Sequence, residues 1–268
     1  MAVKIAYLGE RYSGYQRQPG KKTVEGSILE ALGESGLIRG ISESRFASAG
    51  RTDRGVSALG QVIAFDLQEG EKALCRRINS KLPGDIVAWA KADVPESFHP
   101  RKSSISKTYL YLFDDADLDR GRLESACSIF VGTHDFSQFS RPCGRPTVRT
   151  VEQIWVEGEH PARVFLKGRG FLWMQVRKMM KAVEFIARET IDPSAVRKAL
   201  QGERSLAIEP APAENLILWD VEYRGVEFAP DGPSVARAKE FLAASMRRLR
   251  LAIEVRRAIL DGLRMSED

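Results

Sequence analysis

Two spacings of apolar residues alternate along the first 225 or so residues of the chain. Short runs in which apolar and polar residues alternate predict strands, and runs in which apolar residues recur every three or four positions predict helices. The predicted strands lie at residues 3–8, 45–49, 61–66, 86–92, 106–113, 149–157, 163–167 and 216–223. One predicted helix begins at residue 23, and four more span residues 71–79, 122–131, 172–188 and 193–200. This order is β-α-β-β-α-β twice, so we expect two ferredoxin-like units that join into a larger sheet with a cleft across their seam.

The last forty residues have a different pattern. From residue 234 to residue 264 apolar side chains recur in steps of seven and predict one long helix with a basic remainder. The apolar positions are Val235, Leu242, Met246, Leu249, Ile253, Leu260 and Leu263. We interpret this helix first as one that docks on the body of the protein, and second as an arm for a partner or for RNA. The predicted organisation is therefore an N-terminal half at 1–102, a C-terminal half at 103–228 and a basic helical extension at 229–268.

The net charge of the chain is small but unevenly distributed. The 268 residues carry a formal charge of +5 and a pI of about 9.1, which favours an anionic partner such as nucleic acid. Residues 234–264 hold eight basic and three acidic residues, and 8 − 3 = +5 accounts for the whole excess. No apolar run reaches membrane-spanning length, and the N-terminus lacks a signal-peptide core. We therefore expect a cytoplasmic protein without membrane contact.

The cysteines and histidines do not indicate a metal site. The chain has three of each, at wide spacing and without a Cys-x-x-Cys pattern. Zinc ligands normally occur in closely spaced pairs. We predict neither a metal nor a cofactor, and we expect Cys75, Cys127 and Cys143 to remain reduced.

Residues 49–61 stand out because their composition does not suit a scaffold. They include three glycines, and Asp53 lies between Arg51 and Arg54. Neighbouring arginines favour the ionised form of a carboxylate, which suits a nucleophile and equally suits a surface ion pair. From the residues alone, a glycine-rich hairpin in which Asp53 forms an Asx-turn is the simpler interpretation.

The sequence of this stretch changes that interpretation. AGRTDRGVSALGQV, at residues 49–62, resembles the catalytic loop of TruA-type tRNA pseudouridine synthases, A-G-R-T-D-x-G-V followed by G-Q-V. The resemblance implies that Asp53 is the nucleophile and that Arg51 is the arginine two positions before it. It also implies the pseudouridine synthase fold, an α+β fold with one large, mostly antiparallel sheet, helices on one face and a central cleft.

Two more segments carry the resemblance and supply catalytic candidates. KTYLY at 107–111 resembles R-x-Y-x-Y, which implies that Tyr109 stacks on a flipped uracil and accepts a proton late in the reaction. FLWMQVR at 171–177 resembles F-x-x-x-M-V-R, which implies that Arg177 pairs with Asp53. The alternatives are that Tyr109 is a core residue of its strand and that Arg177 reaches solvent.

Basic and aromatic residues outside these motifs are candidates for RNA contact. FHPRKSS at 98–104 resembles F-H-A-R-x-S-A, which implies that Arg101 contacts a phosphate or helps to flip a base. GYQRQ at 14–18 resembles G-W-Q-x-Q, and aromatic and cationic side chains together can bind bases and phosphates. Ordinary loops are the alternative for both segments. The predicted RNA-binding residues are Arg51, Arg54, Arg101, Tyr15, Gln16 and Arg17.

The resemblance extends over residues 1–228 and implies a function. The chain would isomerise uridine to pseudouridine in the tRNA anticodon stem-loop, around nucleotides 38 to 40, as a homodimer. The sequence leaves open whether Asp53 attacks the ribose or the uracil ring. One alternative is a non-catalytic RNA-binding module on the same fold, although no aromatic RNP-type strand is present. Another is a carboxylate-based glycosidase, which needs a second carboxylate that the loop does not offer.

Overall fold

The computed structural model of the chain describes residues 1–68, 73–115, 117–142, 144 and 146–264. The N-terminal part contains β1 (Ala2–Tyr7), α1 (Val24–Glu34), β2 (Ala47–Ser48), β3 (Ser57–Ala64), α2 (Leu74–Asn79) and β4 (Ile86–Ala92). The part that follows contains β5 (Ser104–Phe113), α3 (Arg120–Ser128), β6 (Gly132–Asp135), β7 (Val148–Glu157), β8 (Ala162–Gly168), α4 (Gln175–Ala187), α5 (Pro193–Leu200) and β9 (Leu216–Tyr223). The chain continues with β10 (Ala229–Pro230) and α6 (Gly232–Arg264).

The strands join into one continuous sheet. Their order is β10-β4-β1-β3-β9-β5-β8-β7-β6, and β2 pairs with β3 off this path. In the part of the chain that the structure describes, every pair is antiparallel except β3 and β9, which run parallel. The predicted α+β fold with one large, mostly antiparallel sheet is therefore confirmed.

The parallel pair β3–β9 is the seam between two ferredoxin-like sets of strands. Ser57 faces Ile217 and Ala58 faces Leu218 across it. The backbones approach closely here, because a Cβ atom on Gly60 would lie only 2.6 Å from the Cα of Asp220. Only glycine fits such an approach without moving the neighbouring strand.

Each side of the seam has its own hydrophobic core. Ile5, Ile28 and Ile78 are buried where α1 and α2 pack on the sheet, and Leu123 and Val183 are buried where α3 and α4 pack on it. Tyr109 packs against both cores. The two cores hold the seam between them, so a residue at the seam is positioned by both.

Several predicted boundaries differ from the structure. β3 begins at Ser57, so residues 57–60, which we predicted as loop, are strand because β1 and β9 pair with them. α4 begins at Gln175 rather than at residue 172, because Met174 has a left-handed backbone with φ of +62°. The short strands β6 and β10 were not predicted. Residues 71 and 72 of the predicted second helix lie outside the described residues, and that helix begins at Leu74.

The prediction of a C-terminal helix is confirmed, but the prediction that its apolar stripe docks on the body is wrong. The first turns of α6 are anchored on the body, where Asn79 donates to the hydroxyl of Ser234 at 2.9 Å and Phe241 packs over Gly84. Farther along, the apolar side chains are between 43% and 69% exposed, as at Leu242, Met246, Leu249, Ile253, Leu260 and Leu263. One reason is length, because α6 packs on β4 and on α2, and α2 has only six residues. α2 is about 9 Å long and α6 about 50 Å long, so α2 cannot cover the length of α6.

Candidate active site

A cleft of about 860 Å³ opens at the seam and is lined by both parts of the sheet. Residues 50–54 of the loop between β2 and β3 line one side. Strand β5 contributes Lys107 and Tyr109, and residues 171–177 at the start of α4 line the opposite side. The cleft thus brings together three segments that are distant in the sequence, and all three predicted catalytic residues line it.

The loop that carries Asp53 is fixed by the end of β1 and by the segment that follows it. The hydroxyls of Tyr7 and Thr52 lie 2.9 Å apart, and the backbone N–H of Tyr15 donates to the carbonyl of Thr52 at 3.1 Å. Gly55 has a φ of +88°, a left-handed conformation that glycine adopts without strain. A turn closed by the Val56 N–H on the Asp53 carbonyl at 3.2 Å then leads into β3. The backbone of the loop is therefore held before any substrate arrives.

Both carboxylate oxygens of Asp53 accept a hydrogen bond. Nη1 of Arg177 lies 3.0 Å from Oδ2, and Nε1 of Trp173 lies 3.0 Å from Oδ1. Arg177 is fixed in turn by a 2.7 Å hydrogen bond from its Nε to the carbonyl of Ala211. The side chains of Arg177 and Asp53 are 14% and 23% exposed, so the pair is partly shielded from water and its attraction is stronger than that of a surface pair. The arginine thus presents a charged carboxylate to the cleft.

Tyr109 lies beside this pair in strand β5. Its ring meets Phe171 edge-on, with centroids 5.3 Å apart and planes at 88°. Burial, and after it the charge of Asp53, raises the pKa of the Tyr109 phenol well above its usual value. The hydroxyl therefore stays protonated at neutral pH while the cleft is empty.

The predicted RNA-binding residues fall into two groups. Arg51, Arg54, Arg101 and Gln16 are exposed and line the cleft. Arg17 is also exposed, and its backbone N–H donates to Glu25 at 2.9 Å. Tyr15 is different because its ring is fully buried and lies against Tyr7, with centroids 6.3 Å apart. The structure buries that ring in the N-terminal core, where Tyr15 also forms part of the wall of the cleft.

Comparison with known proteins identifies the family. A family model described as tRNA pseudouridine synthase matches residues 126–224. A protein of Thermococcus onnurineus named tRNA pseudouridine synthase A is 38% identical over 90% of this chain and 91% of its own length. Proteins of the same name from Pyrococcus horikoshii and Methanosarcina acetivorans are 40% and 39% identical, over 85% and 95% of this chain and 86% and 96% of their own lengths.

This chain belongs to the tRNA pseudouridine synthase A family. Members of this family are isomerases, so the predicted family and enzyme class are confirmed.

The solved structures that match the chain are more distant from it in sequence. A crystal structure of pseudouridylate synthase is 12% identical with a TM-score of 0.35, over 90% of this chain and 74% of its own. A chain of an archaeal box H/ACA Nop10–Cbf5 complex is 10% identical with a TM-score of 0.34, over 67% and 41%.

Two cleft residues with side-chain bonds to the Asp53 loop were not predicted from the sequence. Trp173 lies at an unspecified position of the motif at 171–177, and no local pattern relates its indole to a carboxylate 120 positions away. Lys107 stands where the family pattern has arginine, and its Nζ donates to the carbonyl of Ala49 at 2.6 Å. Burial, with a smaller contribution from the charge of Arg101, lowers the pKa of Lys107 to about 8. Comparison with the arginine of the pattern could have indicated Lys107.

Two further searches covered the described residues. They contain no cluster of three or more His, Cys, Asp or Glu side chains that could hold a metal ion. They also contain no helix with the length and apolar character that a membrane span requires. Cys75 and Cys127 are free and buried, and Cys143 lies outside the described residues.

Proposed function

We propose that this chain isomerises uridine to pseudouridine in the anticodon stem-loop of tRNA, around nucleotides 38 to 40, with Asp53 as the nucleophile. The observation that carries the proposal is the position of Asp53. It lies in a cleft lined from both sides of the seam and pairs with Arg177, whose side chain is mostly buried and is itself held by Ala211. The stem-loop target rests on the family resemblance.

The reaction rearranges atoms without a net loss or gain. The target uridine leaves the stack and enters the cleft, and Asp53 attacks either the ribose or the uracil ring. The bond between ribose and N1 of uracil breaks, the uracil turns, C5 bonds to the ribose, and the bond formed with Asp53 breaks again, which restores the carboxylate. The proton on C5 is lost and N1 gains one, so the product is an isomer of the substrate. Because the reaction is redox-neutral, we propose that it requires no cofactor or metal.

Tyr109 has a defined place in this sequence of steps. Its ring is available as a stacking surface inside the cleft, next to Phe171. Because its phenol is neutral, it can take the C5 proton only while its own proton leaves. We expect Tyr109→Phe to keep the stacking and to slow proton removal, and Tyr109→Leu to impair both. Wild-type rates in both variants would restrict Tyr109 to a role in the core.

The rim of the cleft suits an anionic partner. Arg51, Arg54 and Arg101 are exposed around it, and guanidinium groups bind phosphates through paired N–H donors. Gln16 and Arg17 extend this surface from the loop after β1. We propose that these side chains contact the tRNA backbone beside the flipped base. A homodimer, a cytoplasmic location and the boundaries at residues 102 and 228 remain predictions from the sequence.

Substitution of Asp53 tests the proposal. Asp53→Asn and Asp53→Ala should abolish pseudouridine formation on a tRNA transcript while tRNA affinity stays within a few-fold of wild type. Asp66→Asn is the matched control, because Asp66 is exposed, pairs with Arg45 and does not line the cleft. Substantial turnover by Asp53→Asn would contradict the mechanism. An inactive Asp53→Asn that still binds tRNA would also exclude a purely RNA-binding function.

A further inference from the structure

The two hydrogen bonds to Asp53 leave neither of its carboxylate oxygens free. Oδ2 accepts from Arg177 and Oδ1 accepts from the indole N–H of Trp173, each at 3.0 Å. An oxygen that shares a lone pair with an N–H donor is a weaker nucleophile than one that does not. Attack on a nucleotide therefore favours release of one of these two bonds.

The two donors are held very differently. The side chain of Arg177 is only 14% exposed and belongs to the first turn of α4. Its Nε donates to the carbonyl of Ala211 at 2.7 Å. Trp173 precedes the helix and is 47% exposed. Loss of the Arg177 bond would leave a partly buried charge without its partner, whereas water can replace a bond to an exposed indole. Oδ1 is thus the oxygen that can be released at the lower energetic cost.

The backbone directs the indole toward Asp53. Met174, the next residue, is left-handed with φ of +62°, which costs energy for a residue other than glycine or asparagine. The carbonyl of Trp173 accepts from the N–H of Arg141 at 2.9 Å, and the guanidinium of Arg141 lies 4.8 Å from the indole ring. Trp173 also lines the cleft together with Tyr109. The indole is therefore part of the cleft wall that an incoming nucleotide would meet.

We propose that Trp173 is a positioning residue that holds Oδ1 of Asp53 in the empty cleft and releases it when the target nucleotide enters. Arg177 keeps Oδ2 throughout, and Oδ1 becomes the attacking oxygen. The indole, displaced from the carboxylate, remains at the mouth of the cleft with Arg141. This proposal rests on the proposed role of Asp53 as the nucleophile.

The proposal has a kinetic consequence. In Trp173→Phe the ring remains but the N–H is gone, so entry of the nucleotide no longer has to break a hydrogen bond to a charged group. The KM for tRNA should fall about three- to tenfold, the range expected for a partly exposed bond of this kind. The kcat should stay within about threefold, because Arg177 still holds the carboxylate. A residue that only supports the fold would instead lower the melting temperature and leave KM unchanged or raised.

A spectroscopic signal tests the same step directly. The chain has four tryptophans, so the difference in emission between wild type and Trp173→Phe isolates Trp173. We expect this difference signal to change when unmodified tRNA transcript binds, because the indole leaves the carboxylate. Trp219→Phe is the matched control, because Trp219 is similarly exposed, meets Phe165 edge-on and does not line the cleft. Its removal should alter neither KM nor the tRNA-dependent change in emission.

The outcomes separate this proposal from the one on which it rests. If Asp53→Asn is inactive and Trp173→Phe shows both a lower KM and loss of the tRNA-dependent change in emission, the proposal is supported. An inactive Asp53→Asn combined with an unchanged or higher KM in Trp173→Phe would overturn the proposal for Trp173 alone. A Trp173 emission that does not change when tRNA binds would also overturn the proposal for Trp173 alone. Activity of Asp53→Asn would overturn the proposed function of Asp53, independently of the result for Trp173. Circular dichroism and thermal unfolding of Trp173→Phe confirm that the compared proteins are folded.

Discussion

The helices α4 and α6 have similar spacing of apolar residues, but the apolar face of α4 is buried and that of α6 is exposed. In α4 the apolar side chains pack into the core beside the cleft, as at Val176, Met179, Met180, Val183 and Ile186. In α6 the corresponding side chains remain exposed beyond the first turns. Periodicity specifies which side chains share a helix face, but it does not specify whether another element covers that face. α4 is covered because its face meets the sheet and α3, and this packing fixes Arg177 in the cleft.

The largest expected difference between the two helices concerns stability. Met180→Ala should lower the free energy of unfolding by about 2–5 kcal/mol, because Met180 is fully buried and its loss leaves a cavity. Met246→Ala makes the same chemical change at a side chain that is 69% exposed. It should change the free energy of unfolding by no more than about 0.5 kcal/mol. Urea unfolding of both variants measures the contrast. A large effect at Met246 would show that the face of α6 is covered in solution.

The first turns of α6 should contribute to stability as α4 does, unlike the rest of α6. The amide of Asn79 donates to the carbonyl of Ala88 at 2.8 Å and to Ser234, and its oxygen accepts from the Ala88 N–H at 2.8 Å. Asn79→Ala leaves buried polar groups without partners and should cost about 1–3 kcal/mol. Arg256→Ala is the exposed comparison, since that side chain bonds only within its own helix among the contacts described for it, and it should have little effect. Equal effects in thermal unfolding would contradict the distinction.

The effect of burial should also appear in the pH dependence of stability at Lys107. Burial lowers the pKa of Lys107 from its ordinary 10.5 to about 8, so between these values the unfolded chain binds a proton that the folded protein has lost. The free energy of unfolding should therefore rise with pH in this window, relative to that of Lys107→Met. Lys239→Met removes an exposed lysine of α6 and is the control for the loss of one positive charge. Parallel curves for wild type and Lys107→Met would refute the burial of this charge.

Removal of the distal part of α6 should have the smallest effect on the fold. A chain that ends at residue 245 keeps Asn79, Ser234 and Phe241, and we expect its melting temperature to remain within a few degrees of wild type. The deletion removes six basic and four acidic residues, and 6 − 4 = +2 is lost from the net charge. If its arginines meet tRNA, affinity should fall and the salt slope should decrease by about 0.9 for each lost phosphate contact, by analogy with B-DNA. An unchanged slope together with intact folding would assign the distal helix to another partner.

Local patterns were sufficient for most of the elements, and the family resemblance supplied three catalytic candidates. Alternation and helical spacing predicted the order of strands and helices, because both record which side chains face a core. The predicted start of α1 at residue 23 fits its N-cap, because the Thr23 hydroxyl accepts from the Gly26 N–H at 3.2 Å. Asp53, Tyr109 and Arg177 were found through motifs, because the chemistry fixes the residue types that such segments carry.

Only the tertiary structure decided which of these residues meet and what surrounds them. The contact between Trp173 and Asp53 joins positions 120 apart, and it depends on the left-handed turn at Met174. The depressed pKa of Lys107, the burial of the Tyr15 ring and the exposure of α6 depend in the same way on packing between distant segments. By itself the sequence determined the elements, their apolar faces and the chemical groups of the cleft. The fold decided which faces are covered and which groups are paired, because coverage and pairing are properties of neighbours in space rather than in the chain.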